Sequence, residues 1–294
     1  MSQTNFNLSF GRYINGSNAS WATLRGASSA TVGDDTDLIV CQGYSNGGYY
    51  LQRGYALFNT STLPDNATVS SASIAIYGRD KYNRYLGAFY ILGVTTDNNS
   101  SIVATDFNIT NFSGEVQTLT VADASMNSSG WNNYTLTPAY VNKTGFTKYG
   151  FVQANDWTNS APSPDDSNGN RYYFYVTTQV PVLTVTWTTP PVVTTGSATS
   201  VTAVTATLGG NITDAGGGTV STAGVCWGTS ANPTTSNSKT STTTTSGAFT
   251  VASTGLISGV LYHYRAYVTT ENSTTYGSDQ TFRTIFGGNF IPFI

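Results

Sequence analysis

Short β-branched or aromatic runs separated by turn residues recur along the whole chain, and no window carries an amphipathic helical repeat of useful length. The clearest runs are Leu57-Phe58, Val69 to Tyr77, Phe89 to Val94, Tyr172 to Val176 and Val182-Leu-Thr-Val-Thr-Trp187. Such runs fit a pleated, half-buried surface. The segment from Leu38 to Leu51, interrupted by Asn46-Gly47-Gly48, reads as a hairpin whose glycines supply the positive φ of its turn. Pro138-Ala-Tyr-Val-Asn142 has room for one or two helical turns at most. The expected fold class is therefore all-β.

Thr188-Thr-Pro-Pro-Val-Val-Thr-Thr195 divides the chain. Two consecutive prolines cannot donate to a strand ladder and hold an extended, fairly stiff connection. We place one domain at 1–188, a linker at 189–193 and a second domain at 194–284. Within the second, the Thr/Ser-rich stretch 240–246 reads as a loop, preceded by a turn at Asn232-Pro-Thr234. Six of the ten residues in 285–294 are large and apolar, and none is charged. A disordered tail would be polar. The segment is therefore expected to be buried, either on its own domain or as a docking strand for a neighbouring subunit through Phe286, Phe290, Ile291, Phe293 and Ile294.

Only 9% of the 294 residues are Asp, Glu, Lys or Arg, against roughly a quarter in ordinary soluble domains. Ser, Thr, Asn, Gly and Tyr supply the polarity. The net charge of -3 and twelve scattered basic residues leave no electrostatic footprint for nucleic acid and no polybasic membrane anchor. No stretch is long and apolar enough for a membrane-spanning helix. Cys41 and Cys226 fall in different domains within apolar runs and read as buried thiols. Met1-Ser-Gln-Thr-Asn-Phe6 lacks the basic and apolar regions of a secretory leader. Taken as the start of a whole chain, it implies assembly in the cytoplasm and release by lysis, as for virion parts. Fourteen Asn-X-Ser/Thr sequons give a counter-signal for export and glycosylation, although Asn-Ser-Thr turns generate such triplets without modification.

Two resemblances extend this reading. Residues 204–213, Gly224-Val-Cys-Trp-Gly-Thr-Ser230, Leu256 to Tyr267 and Thr275 to Thr284 resemble the fibronectin type III-like modules of bacterial surface and phage structural proteins. The resemblance implies an immunoglobulin-like sandwich centred on Trp227. It places Tyr262, six residues after Leu256, where a tyrosine corner binds backbone through its hydroxyl. Residues 53–78, Trp131-Asn-Asn-Tyr-Thr-Leu-Thr137, Gly145 to Gly150 and Pro181 to Trp187 resemble the carbohydrate-binding-module-like jelly roll known as DNRLRE. That pattern carries Asp where this chain has Asn59, which would weaken any service its carboxylate performs. The family shares a shell rather than one activity.

Candidate chemistry is sparse. The only histidine, His263, lies in a strand-like run with no Ser or Asp at recognisable catalytic spacing. The only glutamates, Glu115 and Glu271, fall in different domains, so they offer no glycosidase-like pair; an Asp pair is open to the chain, but no spacing nominates one. Asp34-Asp35-Thr36-Asp37 and Asp165-Asp166, with Asp156 nearby, are oxygen-rich loops of a sort that can hold a structural Ca²⁺, but their spacing matches no EF-hand-like loop. No cofactor and no metal site are assigned. Tyrosines crowd 44–55 and 77–85, the latter beside Arg79, Asp80, Lys81 and Arg84. Rings stack on the apolar faces of sugars while charged neighbours read hydroxyls, so Tyr82, Tyr85 and Arg84 are the candidate glycan contacts. The expected function is non-enzymatic: a structural or display protein on the exterior of a phage-like particle, homo-oligomeric and in contact with other virion subunits. A cell-surface adhesin or extracellular filament subunit, or a glycan-binding module, is the alternative.

Overall fold

The computed structural model describes residues 1–18, 20–33, 36–82, 88–94, 101–112, 119–122, 126–163, 169–271 and 273–287. The chain divides into two compact units, Gln3–Asp65 with Val69–Thr186, and Trp187–Ile294 with Met1–Ser2 and Asn66–Thr68. The architecture is all-β: a jelly-roll β-sandwich followed by an immunoglobulin/fibronectin type III-like β-sandwich.

The first sandwich is built from β1 (Ser2–Asn18), β2 (Thr31–Val32), β3 (Asp37–Ser45), β4 (Gly48–Asn59), β5 (Thr68–Tyr82), β6 (Ala88–Gly93), β7 (Leu119–Ala122), β8 (Trp131–Leu136), β9 (Phe146–Gln153), β10 (Asn170–Tyr175) and β11 (Val182–Thr188). Their order is β2-β1-β11-β5-β10-β3-β4-β9-β6-β7, with β8 on β5. Because β1 also pairs with β4, six strands close on themselves. The long strands β1 and β5 make this possible, since different parts of each pair with different neighbours. The β3–β4 hairpin turns through Asn46 and Gly47, whose φ values are 51° and 80°. The sequence reading assigned the positive φ to the glycines; Asn46 takes the first such position because a two-residue turn of this hand needs it at both central residues.

The sheet containing β4, β6 and β9 is buried on both faces. One face holds the rings of Phe89, Phe151, Tyr172 and Phe174, with Phe89 centred 4.9 Å from Tyr172 and 5.7 Å from Phe174. The other carries Leu51, Tyr55, Leu57, Leu92 and Val152 beneath Trp21 and Leu24 of α1 (Trp21–Arg25) and beneath Ile102, Phe107 and Phe112. Burial on both faces explains why β3 and β4 read as continuous apolar runs. The covering layer was not anticipated. Its helices, α1, α2 (Ala154–Trp157) and single 3-10 turns at Ala104–Phe107 and Ile109–Asn111, are too short to show a helical period, whereas the 3-10 turn at Pro138–Tyr140 falls where one or two helical turns were expected.

A buried ion pair joins that layer to the sheet. Arg53, fully buried on β4, donates to both carboxylate oxygens of Asp156 in α2 at 2.7 and 2.8 Å. It also donates to the Phe107 carbonyl, lies 4.5 Å from the Phe107 ring centroid and reaches the Arg25 carbonyl at 3.4 Å. Arg25 returns across α2, donating to the carbonyls of Asp156 at 2.6 Å and Trp157 at 3.3 Å. The Tyr55 hydroxyl donates to the Asp106 carbonyl at 2.6 Å.

The second sandwich faces β12 (Val192–Thr195), β13 (Thr205–Asp214) and β16 (Gly247–Thr254) against β14 (Val220–Gly228), β15 (Ser238–Thr242), β17 (Leu261–Thr270), β18 (Thr274–Tyr276) and β19 (Gln280–Arg283). Val193, Leu208, Ile212, Phe249 and Val251 meet Val225, Trp227, Tyr264, Val268 and Phe282 in one core. The Tyr262 hydroxyl accepts the Ile257 N–H at 3.0 Å, and its ring stacks on Phe282. Of residues 240–246, assigned to a loop from composition, 240–242 belong to the edge strand β15 on β14, while 243–246 lie outside any strand; β-branched threonines suit a strand better than a turn.

Removing one partner of a buried pair strands a charge, which typically costs about 3–5 kcal/mol. Arg53→Met and Asp156→Leu are each expected to lower the stability of the first sandwich by about that amount in urea unfolding. The double variant should lose less than the sum, because neither charge of the pair is left buried without the other. A second expectation concerns alkali. Burial raises the pKa of Tyr55, Tyr134 and Tyr149 above the ordinary 10.0. A raised tyrosine pKa means that the fold holds protons the unfolded chain would release. Stability is therefore fully present below pH 10 and falls as pH rises beyond it. Phenolate absorbance of these residues should appear only together with loss of circular dichroism.

Candidate functional site

The side chains able to meet a ligand gather where β5 and β10 run together. Along β10, Tyr172 and Phe174 point inward while Arg171, Tyr173 and Tyr175 stand on the opposite, partly open face. The β5–β10 register pairs Arg171 with Tyr82 and Tyr173 with Asp80, then shifts so that Phe174 faces Gly78. Arg79 is thus the extra residue of a β-bulge, a feature that re-aims a side chain. Its guanidinium stands 5.9 Å from the Tyr173 ring centroid and 5.7 Å from that of Tyr175. Tyr77 lies 6.1 Å from Tyr175 and meets the exposed Trp131 of β8 edge-on at 5.5 Å. On the other side, Arg171 sits 5.6 Å from the Tyr50 ring centroid and donates to its hydroxyl at 3.4 Å. That hydrogen bond raises the guanidinium pKa further, so Arg171 stays charged.

The result is a strip of alternating rings and guanidinia, with an open concavity on each side of Arg171 and Tyr173. One, of about 410 Å³, is lined by Arg79, Asp80, Tyr82, Arg171 and Tyr173. The other, of about 360 Å³, adds Ser17, Ser45, Tyr50 and Gln52. A larger concavity of about 640 Å³ lies between residues 15–18 and 23–31. Its walls are small hydroxyl, amide and methyl groups with the buried Leu24 and Phe107, so it offers no exposed ring on which a sugar could stack. Chemistry, rather than size, therefore favours the strip.

Of the residues singled out from sequence, Tyr82 is exposed within the strip, while Arg84 and Tyr85 lie outside the described residues. Tyr55, grouped with the surface tyrosines, is fully buried. Position 55 shares the covered face of β4 with Leu51 and Leu57. Arg171, Tyr173, Tyr175 and Trp131 were missed. The alternation in Arg171-Tyr-Tyr-Phe-Tyr175 signalled one outward face, but only strand pairing brings it beside β5. Of the apolar 285–294 segment, Phe286 is exposed and Phe290, Ile291, Phe293 and Ile294 lie outside the described residues.

The carboxylates have structural partners. Asp37 pairs with Arg79 and Asp156 with Arg53. Asp34, Asp35, Asp165 and Asp166 lie outside the described residues. Among the described residues, no group of three or more His, Cys, Asp or Glu is placed to hold a metal ion. His263 Nδ1 lies 2.8 Å from Asp279 Oδ2, a partner its spacing did not reveal, and that oxygen also accepts the Asn232 N–H. Cys41 and Cys226 are buried outside any disulfide, and burial raises the Cys226 thiol pKa. Asn59, in place of the pattern's Asp, accepts the Ser61 N–H at 3.2 Å and its hydroxyl at 2.7 Å. Either amide or carboxylate oxygen can close that turn. The sequon residues Asn18, Asn108, Asn127 and Asn142 accept in the same way from the backbone N–H two residues on. The Asn-X-Ser/Thr spacing thus has a local structural use in this chain.

No protein-family model matches the chain, and no curated protein matches it. Similar solved structures include the sensor domain of the anti-sigma factor RsgI4 from Pseudobacteroides cellulosolvens, at 19% identity, covering 33% of this chain and 97% of that one, with a TM-score of 0.25. The glycoside hydrolase domain of Endo-D from Streptococcus pneumoniae matches at 10% identity over 97% of this chain and 37% of that one, TM-score 0.23. A stretch of titin domains matches at 9% identity over 97% and 94%, TM-score 0.25. These distant likenesses carry no argument about activity.

The Asn59 geometry gives a direct test. Asn59→Asp should leave thermal stability nearly unchanged, whereas Asn59→Ala, which strands the turn donors, should cost about 1 kcal/mol.

Proposed function

We propose that this chain is a non-enzymatic display protein in which the jelly roll presents a saccharide-binding strip and the second sandwich serves as a spacer. The observation that carries the reading is the strip of Trp131, Tyr77, Tyr175, Tyr173 and Tyr50 interleaved with Arg79 and Arg171. Ring faces take the apolar faces of pyranoses, and guanidinia and carboxamides take their hydroxyls. Two concavities sharing Arg171 and Tyr173 favour several consecutive sugars over a single terminal one. The low charge of the chain suits a surface whose solubility depends little on salt. The setting we propose is the exterior of a phage-like particle, supported by the two family resemblances. A cell-surface adhesin would use the same strip.

The test is binding of the whole chain to a panel of soluble linear oligosaccharides, neutral and acidic, measured by calorimetry. Tyr173→Ala, Trp131→Ala and Tyr82→Ala are the informative variants. Arg79→Ala is a poor choice, because it also strands the buried Asp37. Each informative variant should weaken binding roughly tenfold, in line with the loss of a stacking contact, with an unchanged thermal midpoint. Binding that is indifferent to all three, or absent across the panel, overturns the glycan reading. Co-sedimentation of the protein with purified particles from its source tests the virion setting separately.

A further inference from the structure

We infer that the saccharide is acidic, and that Arg171 binds a carboxylate or sulfate ester of one sugar residue in the concavity between Tyr50 and Tyr173. The inference rests on the saccharide reading and adds to it the charge of the ligand. The guanidinia of the strip differ in what neutralises them. Arg79 pairs with the Asp37 carboxylate, so its charge is matched within the protein. Arg171 has no carboxylate partner among the described residues. Its guanidinium donates to the Tyr50 hydroxyl, a neutral acceptor, at the long distance of 3.4 Å. Its Nε is covered from solvent and meets no acceptor. A guanidinium carries several N–H donors in a fixed fork, and an anion completes such a set through paired, charge-assisted hydrogen bonds.

The concavities on either side of Arg171 also differ in charge. That of about 410 Å³ carries Asp80 as well as the paired Arg79. In that of about 360 Å³, Arg171 is the charged residue of the wall, and Ser17, Ser45 and Gln52 add hydroxyl and carboxamide groups. An anion placed there meets a cation and no carboxylate, whereas the first concavity suits a neutral neighbouring sugar. The chain as a whole has a net charge of -3, so its general field disfavours anions. A preference for an acidic ligand must therefore come from a local group.

The neighbouring ring is seated so as to position that cation. The Tyr50 hydroxyl lies against the backbone of Gly43 and Gly169. A Cβ at Gly43 would overlap it, and one at Gly169, where φ is 54°, would come within 2.8 Å of it. Tyr50 in turn holds the Arg171 guanidinium 5.6 Å from its ring centroid and accepts its hydrogen bond. A side chain placed beforehand spares the ligand much of the cost of ordering it.

The experiment is calorimetry of the whole chain with matched tetrasaccharides: mannuronate, galacturonate and glucuronate oligomers, the same oligomers with each carboxylate reduced to a hydroxymethyl group, and sulfated forms of the reduced ones. An acidic probe should bind roughly tenfold or more tightly than its reduced counterpart at low ionic strength, and the advantage should shrink as salt is added. The tighter of the carboxylate and sulfate arms identifies the source of the charge. Arg171→Gln should abolish the difference between acidic and reduced probes, whereas Arg283→Gln, in the second sandwich, should leave it intact. Equal affinity for acidic and reduced probes overturns the inference and leaves the saccharide reading standing. Binding to none of the probes overturns both. An acidic preference that survives Arg171→Gln overturns the role given to Arg171. The comparison of acidic with reduced probes is made on the unaltered chain, so it decides the inference whether or not the Arg171 variant folds.

Discussion

The first sandwich depends on one buried ion pair. Arg53 comes from the middle of a strand whose neighbours on the same face, Leu51, Tyr55 and Leu57, are apolar. A guanidinium there is tolerable only with its donors satisfied and its charge matched. Asp156 supplies both, and the carbonyls of Phe107 and Arg25 complete the set. Its partners lie on α1, on α2 and on the 3-10 turn at Ala104–Phe107. The pair therefore specifies how these short elements, none stable alone, cover the sheet. Specificity of this sort is a better reason to retain a buried pair than stability, since well-packed apolar residues often serve stability as well.

Covering one sheet on both faces has a consequence for function. The partly open rings and guanidinia come instead from β5, β8 and β10 and from Tyr50 at the hairpin end of β4. The bulge at Arg79 then sets a cation among the rings of Tyr173 and Tyr175. The Asp37 carboxylate holds that cation, so the same residue links the strip to the buried start of β3.

Much of this organisation was legible in the residues. The strand runs, the hairpin at 46–47, the core role of Trp227 and the backbone bond of Tyr262 follow from periodicity, turn chemistry and family resemblance. Other features were not. Tyr55 and Tyr50 look equivalent in sequence, yet one is fully buried and the other lines the groove. The first three residues of the Thr/Ser-rich 240–246 were read as loop although they belong to β15, because composition does not reveal a pairing partner. Asp156 was grouped with possible oxygen ligands because its cation lies 103 positions away.

The sequence alone determined what depends on neighbouring residues. Period-two alternation sets the strands, positive φ favours Asn and Gly at turns, and Asx turns use the Asn-X-Ser/Thr spacing. Tertiary structure decided what depends on register between distant strands: which face of β4 is covered, which arginine is neutralised, and which tyrosines share a surface with Arg171. Those outcomes arise because a single residue's shift in register moves every side chain of a strand to the opposite face, and no local signal in this chain fixes the pairing of β5 with β10.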